Sequence, residues 1–200
     1  MTSPYENKAV SDWPNITRQL LDQHPLSADE IVSVVRESWS DILQSKIGNY
    51  TIGQEIFPKP QIMGFLLNEL VALKLSETYP GVWRGEIEKT DKDIVYIPDN
   101  RFSFEMKTSS NKSHIYGNRS YAQQTTKSKR TTKDKSGYYL AVNFEKFNDD
   151  KSIRPDIGLI RFGWLDHSDW MGQEAATGQQ ASLSSDIENY KLLTLYSLRK

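Results

Sequence analysis

The sequence contains no cysteine. Disulfides, cysteine-ligated zinc and a thiol nucleophile are therefore excluded, and a reducing compartment suits the chain. Histidine is scarce: His24, His114 and His167 are scattered, and no His-x-x-x-His pair places two imidazoles on one helix face. The Gly-x-Ser-x-Gly elbow of serine hydrolases is missing, as is a glycine-rich loop able to cradle phosphates. No apolar run approaches the length of a bilayer span, and the polar N-terminus has no signal-peptide core. The chain reads as cytoplasmic. An excess of charge is also lacking, since 25 Lys and Arg against 26 Asp and Glu leave a net charge of −1. Any affinity for a polyanion must then come from a local patch rather than from the whole molecule.

What is present suits a single domain, because 200 residues can bury a sizeable core. Residues 1–12 read as a flexible tail, 13–60 as a helical N-terminal region and 61–200 as the main core. A short helix is expected from Trp13 to Leu21. Ser27 with Glu30 forms a capping box that starts a second helix, to about Ser45. Pro60 suits the first turn of a third, apolar helix to Thr78. Strands are expected over 82–88, 93–97, 102–108, 137–144 and 157–162, and 192–198 is a final strand or a short helix. Tyr138-Tyr139-Leu140-Ala141-Val142 and Ile157-Gly158-Leu159-Ile160 are apolar throughout, as strands buried on both faces are. The predicted fold class is α/β, with a mixed β-sheet flanked by helices.

The chemistry concentrates in one strand, turn and strand. Phe102, Phe104 and Met106 alternate with Ser103, Glu105 and Lys107, so a strand here turns its apolar set to one face and its charged set to the other. Upstream lie Asp91-Lys92-Asp93, Ile94-Val95-Tyr96-Ile97 and the turn-like Pro98-Asp99-Asn100-Arg101. A hairpin centred near Asp99 sets Asp93 opposite Glu105 and Asp91 opposite Lys107, with Ile94 and Tyr96 joining the apolar face. A slip of one residue would send Asp93 into the apolar set. Two carboxylates so placed can hold a hard cation such as magnesium (Mg2+), and Lys107 can orient a water or steady charge on a phosphate. The same residues would also serve as a solvent-facing hairpin with a cross-strand ion pair.

Asp93 followed by Glu105-Met106-Lys107 resembles the Asp…(Asp/Glu)-x-Lys core of the PD-(D/E)xK nuclease superfamily. Lys92 stands where that core often has proline. The literal Pro98-Asp99 is no substitute, because Asp99 sits at the turn. The longer runs Phe104-Glu105-Met106-Lys107-Thr108-Ser109-Ser110 and Ile115-Tyr116-Gly117-Asn118-Arg119-Ser120-Tyr121-Ala122-Gln123 are similar to type II restriction endonucleases of the ScaI-like group. Trp164-Leu165-Asp166, Trp170 and Ala176-Thr177-Gly178-Gln179-Gln180-Ala181 fit the same group, so the likeness spans about residues 62–196. It implies a restriction-endonuclease-like core, a prokaryotic cytoplasmic enzyme, double-stranded DNA as substrate and Mg2+ as cofactor. Asp93 and Glu105 are then metal ligands and Lys107 a catalytic group. Glu69, set among Phe65, Leu66, Leu70 and Leu73, is either a further catalytic carboxylate, as related nucleases carry, or a stripe-edge residue with its head in water.

From Lys107 to Lys135 eight basic residues face the single Asp134, a local excess of seven. Such a segment directly after the charged strand suits phosphate-backbone binding, although runs of this kind are often only solvated surface. Candidate DNA contacts are Ser109, Ser110, Asn111, Lys112, Asn118, Arg119, Ser120, Tyr121, Gln123, Lys127, Lys129 and Arg130. Arg, Asn and Gln make bidentate contacts to base edges, and hydroxyls suit phosphates. The expected function is Mg2+-dependent, sequence-specific cleavage of both DNA strands by a homodimer, since one small domain holds one site. The rival readings are a structure-specific nuclease, such as a junction resolvase or repair enzyme, and a DNA-binding module without catalysis.

Overall fold

The computed structural model describes residues 2–121, 135–172 and 180–198. The elements run α1 (Trp13–Asp22), α2 (Ala28–Ile42), β1 (Lys46–Ile47), β2 (Tyr50–Thr51), α3 (Pro60–Thr78), β3 (Trp83–Gly85), β4 (Ile94–Tyr96), β5 (Phe104–Ser109), β6 (Tyr116–Asn118), β7 (Gly137–Phe144), β8 (Ile157–Leu165), β9 (Met171–Gly172), β10 (Gln180–Ser182), α4 (Ser185–Tyr190) and β11 (Leu192–Ser197). The capping box is formed: Glu30 N–H donates to Ser27 Oγ at 3.3 Å, and Ser27 N–H donates back to Glu30 Oε2 at 2.8 Å. Two orphan amides at the start of α2 are thereby satisfied. Pro60 opens α3, where no N–H is needed.

Six strands form the main sheet in the order β11-β8-β7-β5-β4-β3. Only the central β5–β7 pair is parallel, so the sheet is mixed, as the sequence predicts. Its two faces have different covers. Phe104, Met106, Tyr138, Leu140, Val142, Ile160 and Phe162 pack with Val35, Leu67 and Val71 of α2 and α3. The other face meets a small sheet, β6-β10-β9, through Tyr139, Ala141, Leu165, Trp170 and Ala181. Every residue of β7 is buried, which is the two-sided burial its apolar run calls for. α3 presses closely on β5: a methyl group at Gly64 would overlap Thr108 Oγ1 and sit 3.3 Å from Thr108 Cβ.

Three expectations need correction. Residues 2–12 are not a loose tail. Tyr5 is 5% exposed within the core, its hydroxyl lies 2.9 Å from Thr17 Oγ1, and Ser3 Oγ donates to Asp166 at 2.7 Å. This segment covers a buried ion cluster in which Lys191 Nζ lies 3.0 Å from Asp166 and 2.8 Å from Asp169, with the rings of Tyr5 and Trp13 stacked on the ammonium. Second, the turn between β4 and β5 is not a tight hairpin. Asn100–Phe102 form a 3-10 turn capped by Asp99, which accepts from Arg101 N–H at 3.0 Å. Third, Asp91 does not face Lys107. It bonds Arg84 at 2.7 Å and accepts from the amides of Ile87 and Glu88, and this ends β3 early. The guanidinium of Arg84 holds the Asp91 carboxyl down at about 2. Among the described residues no helix is long and apolar enough to cross a membrane.

Candidate active site

The register that gathers the charges is the one formed. Ile94 pairs with Phe104, and both are in the helix-side core. The alternation of β5 then sends Glu105 and Lys107 to the opposite face, beside Tyr139 and Ala141 of β7. Asp93, just before β4, is tied to the same strand: Met106 N–H donates to Asp93 Oδ2 at 2.8 Å. Asp93, Glu105 and Lys107, the three residues singled out in the sequence, are thus brought together.

Glu105 is 1% exposed. A carboxylate at that depth is costly unless charges and donors surround it. Lys107 Nζ lies 3.7 Å from Oε2 and Lys92 Nζ 3.6 Å from Oε1, while the Tyr121 hydroxyl donates to Oε2 at 3.3 Å. Lys92 is itself 8% exposed and donates to the Ser136 carbonyl at 3.1 Å. The ring of Tyr121 is the floor for two ammonium groups, Lys107 at 4.7 Å and Lys135 at 4.9 Å from its centroid. Burial holds the Lys135 ammonium below the usual lysine range; Glu105 opposes that shift and Lys107 adds to it. Lys135 also donates to the Ser120 carbonyl, and its own carbonyl accepts from the Tyr139 hydroxyl at 2.6 Å. Burial pushes the Tyr139 phenol well above the ordinary range, so it stays protonated as a donor.

Lys92, Lys135 and Tyr139 were not identified as site residues in the sequence. Lys92 precedes β4 outside any strand, where strand alternation gives no direction to its side chain. Tyr121, expected at a phosphate, is 8% exposed beneath Trp170 with its hydroxyl on Glu105. Glu69 lies exposed on the outer side of α3, next to exposed Phe65 and Leu73. Among the described residues no hydrogen bond or ion pair joins it to the trio, and no three acidic or histidine side chains cluster for a metal.

The other sequence candidates line the rim. Ser109, Ser110, Asn111 and Asn118 border a groove of about 660 Å³ at the end of β5. Ser109 Oγ accepts from Asn111 N–H at 3.1 Å, and Asn111 Oδ1 accepts from Ser113 and His114, so both side chains also shape the turn. Lys112 and Ser120 are exposed beyond it. Gln123, Lys127, Lys129, Arg130 and the side chain of Arg119 lie outside the described residues.

Two similarities extend over nearly the whole chain. The chain is 46% identical over 196 residues to the type II restriction enzyme ScaI of Streptomyces caespitosus, covering 98% of this chain and 85% of the relative. No solved structure matches it. The family model of the ScaI restriction endonuclease spans residues 3–196, from the N-terminal segment that covers Lys191 to the last strand of the sheet. With a match of that extent over the strands that gather Asp93, Glu105 and Lys107, the chain belongs to the ScaI restriction endonuclease family.

Proposed function

We propose that the protein is a type II restriction endonuclease that hydrolyses phosphodiester bonds of double-stranded DNA at a specific sequence. Family membership supports the class, and the observation that carries the chemistry is the buried Glu105 held between ammonium groups beside Asp93. The donor set fits Mg2+: the carboxylates of Asp93 and Glu105 supply the hard oxygens that ion prefers. Asp93 and Glu105 would hold it, and when bound it supplies polarisation of the scissile phosphate and a more acidic water. Met106 N–H orients Asp93 through its 2.8 Å bond. Lys107 orients the attacking water and stabilises the negative charge that develops on the phosphate. Lys92 offsets the Glu105 charge from the buried side, and Tyr121 fixes the Glu105 rotamer.

One chain carries one such site, so cutting both strands of a two-fold symmetric sequence calls for a homodimer. Ser109, Ser110, Lys112 and Ser120 would meet phosphates, and the basic run through Lys127, Lys129 and Arg130 would supply the salt-sensitive part of binding. Digestion of a plasmid of known sequence tests the reading. Discrete fragments with magnesium, and none with EDTA, are expected. A smear, or cleavage confined to branched DNA, would overturn site specificity.

A further inference from the structure

We infer that the β6–β10 ribbon of the small three-stranded sheet is a base-reading element, and that Asn118 and Gln180 act as one adenine-recognising pair. The inference rests on the endonuclease reading and concerns its specificity. In sequence these residues are far apart. In the fold they are direct cross-strand partners, Gln180 opposite Asn118. Strand alternation gives the ribbon two unlike faces. Gly117 and Ala181 are buried, whereas Asn118 and Gln180 are exposed. Cross-strand partners hold their Cβ atoms about 4.5–5.5 Å apart, close enough for two amides to meet one base or two neighbouring bases. Asn and Gln each match the N6 and N7 edge of adenine in the major groove.

The ribbon is also held where a reader is needed. Asn118 and Gln180 open on the groove whose other side is the end of β5, at Thr108 and Ser109, with Lys146 at its rim. That is the strand which carries Glu105 and Lys107. The ribbon can come no closer to the sheet, because Gly117 presses directly on its support. A Cβ there would lie 2.9 Å from Tyr121 Cγ and 3.1 Å from Trp170 Cζ3. Tyr121 in turn bonds Glu105. One aromatic side chain therefore sets the height of the ribbon and the position of the catalytic carboxylate, and a base docked on the ribbon lies at a fixed offset from the reacting phosphate.

The test uses the site mapped from plasmid digestion, placed in a short duplex, with binding measured in calcium. Asn118→Ala and Gln180→Ala are each expected to weaken binding to this duplex by about tenfold to a hundredfold. Binding to a scrambled duplex should hold, and the double variant should lose less than the product of the two. Replacing site adenines one at a time with 7-deazaadenine removes the N7 acceptor. At one position this should weaken the parent protein, and at that position the variants should be indifferent. Equal weakening on both duplexes would make the pair a positioning contact and overturn the inference. So would a mapped site without adenine, or a parent insensitive to every analogue, a result that needs no variant to fold. A parent that cuts no defined site refutes the endonuclease reading itself, and the assignment falls with it.

Discussion

Gly64→Ala tests whether the seam between α3 and β5 is as tight as the structure has it. Gly64 is buried on the sheet side of α3, and the added methyl group would overlap Thr108 Oγ1 and stand 3.3 Å from Thr108 Cβ. Two effects oppose each other. Alanine in a helix interior gains about 0.8–1.0 kcal/mol over glycine. Overpacking a closed interior costs roughly 1–3 kcal/mol, because neighbours must leave their rotamers or the backbone must shift. The overlap is severe enough to put the cost in the upper part of that range, so overpacking should win, with a net loss of roughly 1–2 kcal/mol and a fall in Tm of about 2–8 °C for a chain of this size. Urea denaturation of four proteins decides it: parent, Gly64→Ala, Thr108→Ala and the double variant. With Oγ1 gone the methyl group has space, so in the Thr108→Ala background Gly64→Ala should be neutral or stabilising. The coupling should then be at least about 1 kcal/mol, as for residues in contact. If Gly64→Ala stabilises the parent, or acts equally in both backgrounds, the hydroxyl swings aside without cost and the seam is looser than described.

Asp93→Asn, Glu105→Gln and Lys107→Ala should each lower plasmid cleavage by about two or more orders of magnitude while circular dichroism stays native; near-normal cleavage by Lys107→Ala would remove its role. Lys92→Met should lower Tm in EDTA, because Glu105 loses a neighbouring charge, and magnesium should raise the Tm of the variant more than that of the parent. His24 is buried among aromatic rings, and its Nε2 lies 3.0 Å from the Phe102 carbonyl; burial pulls its pKa down to about 4. The unfolded chain therefore binds the proton more readily, so the stability linked to His24 is complete above about pH 6.5 and is lost as pH falls towards 4. Denaturation at stepped pH should show that loss in the parent and a flatter profile in His24→Gln. Lys127→Ala, Lys129→Ala and Arg130→Ala should each reduce the salt slope of DNA binding by about one, and unchanged slopes would mean the run is only solvated surface.

The residue pattern reveals the frame and the charged trio for a definite reason. Period-two alternation in β5 and the apolar match with Ile94 leave one register that keeps Asp93 out of the core, and that register is formed. α3 begins and ends where Pro60 and Tyr79-Pro80 predict, and β7 matches its apolar run. What the pattern does not reveal depends on contacts far apart in sequence. Nothing near Lys92 marks it as a buried neighbour of Glu105, since a lysine outside regular structure is ordinarily solvated. The small sheet is missed because β6, β9 and β10 are two or three residues long, too short for a period to be read. Tyr121 looked like a phosphate contact because its neighbours are polar; its burial is decided by Trp170, about fifty positions later.

The clasp of Ser3 and Tyr5 over Lys191 has a practical consequence for handling the protein. A scientist trimming the chain by sequence would discard its first dozen residues as a tail. That cut would strip Tyr5 from the ammonium and Ser3 from Asp166, opening one side of a charge cluster that holds the stretch before β11 to the stretch after β8. Damage at the N-terminus would therefore be felt at the far edge of the sheet. Protease sensitivity near residues 166–191 should report an early truncation before any loss of helix is seen.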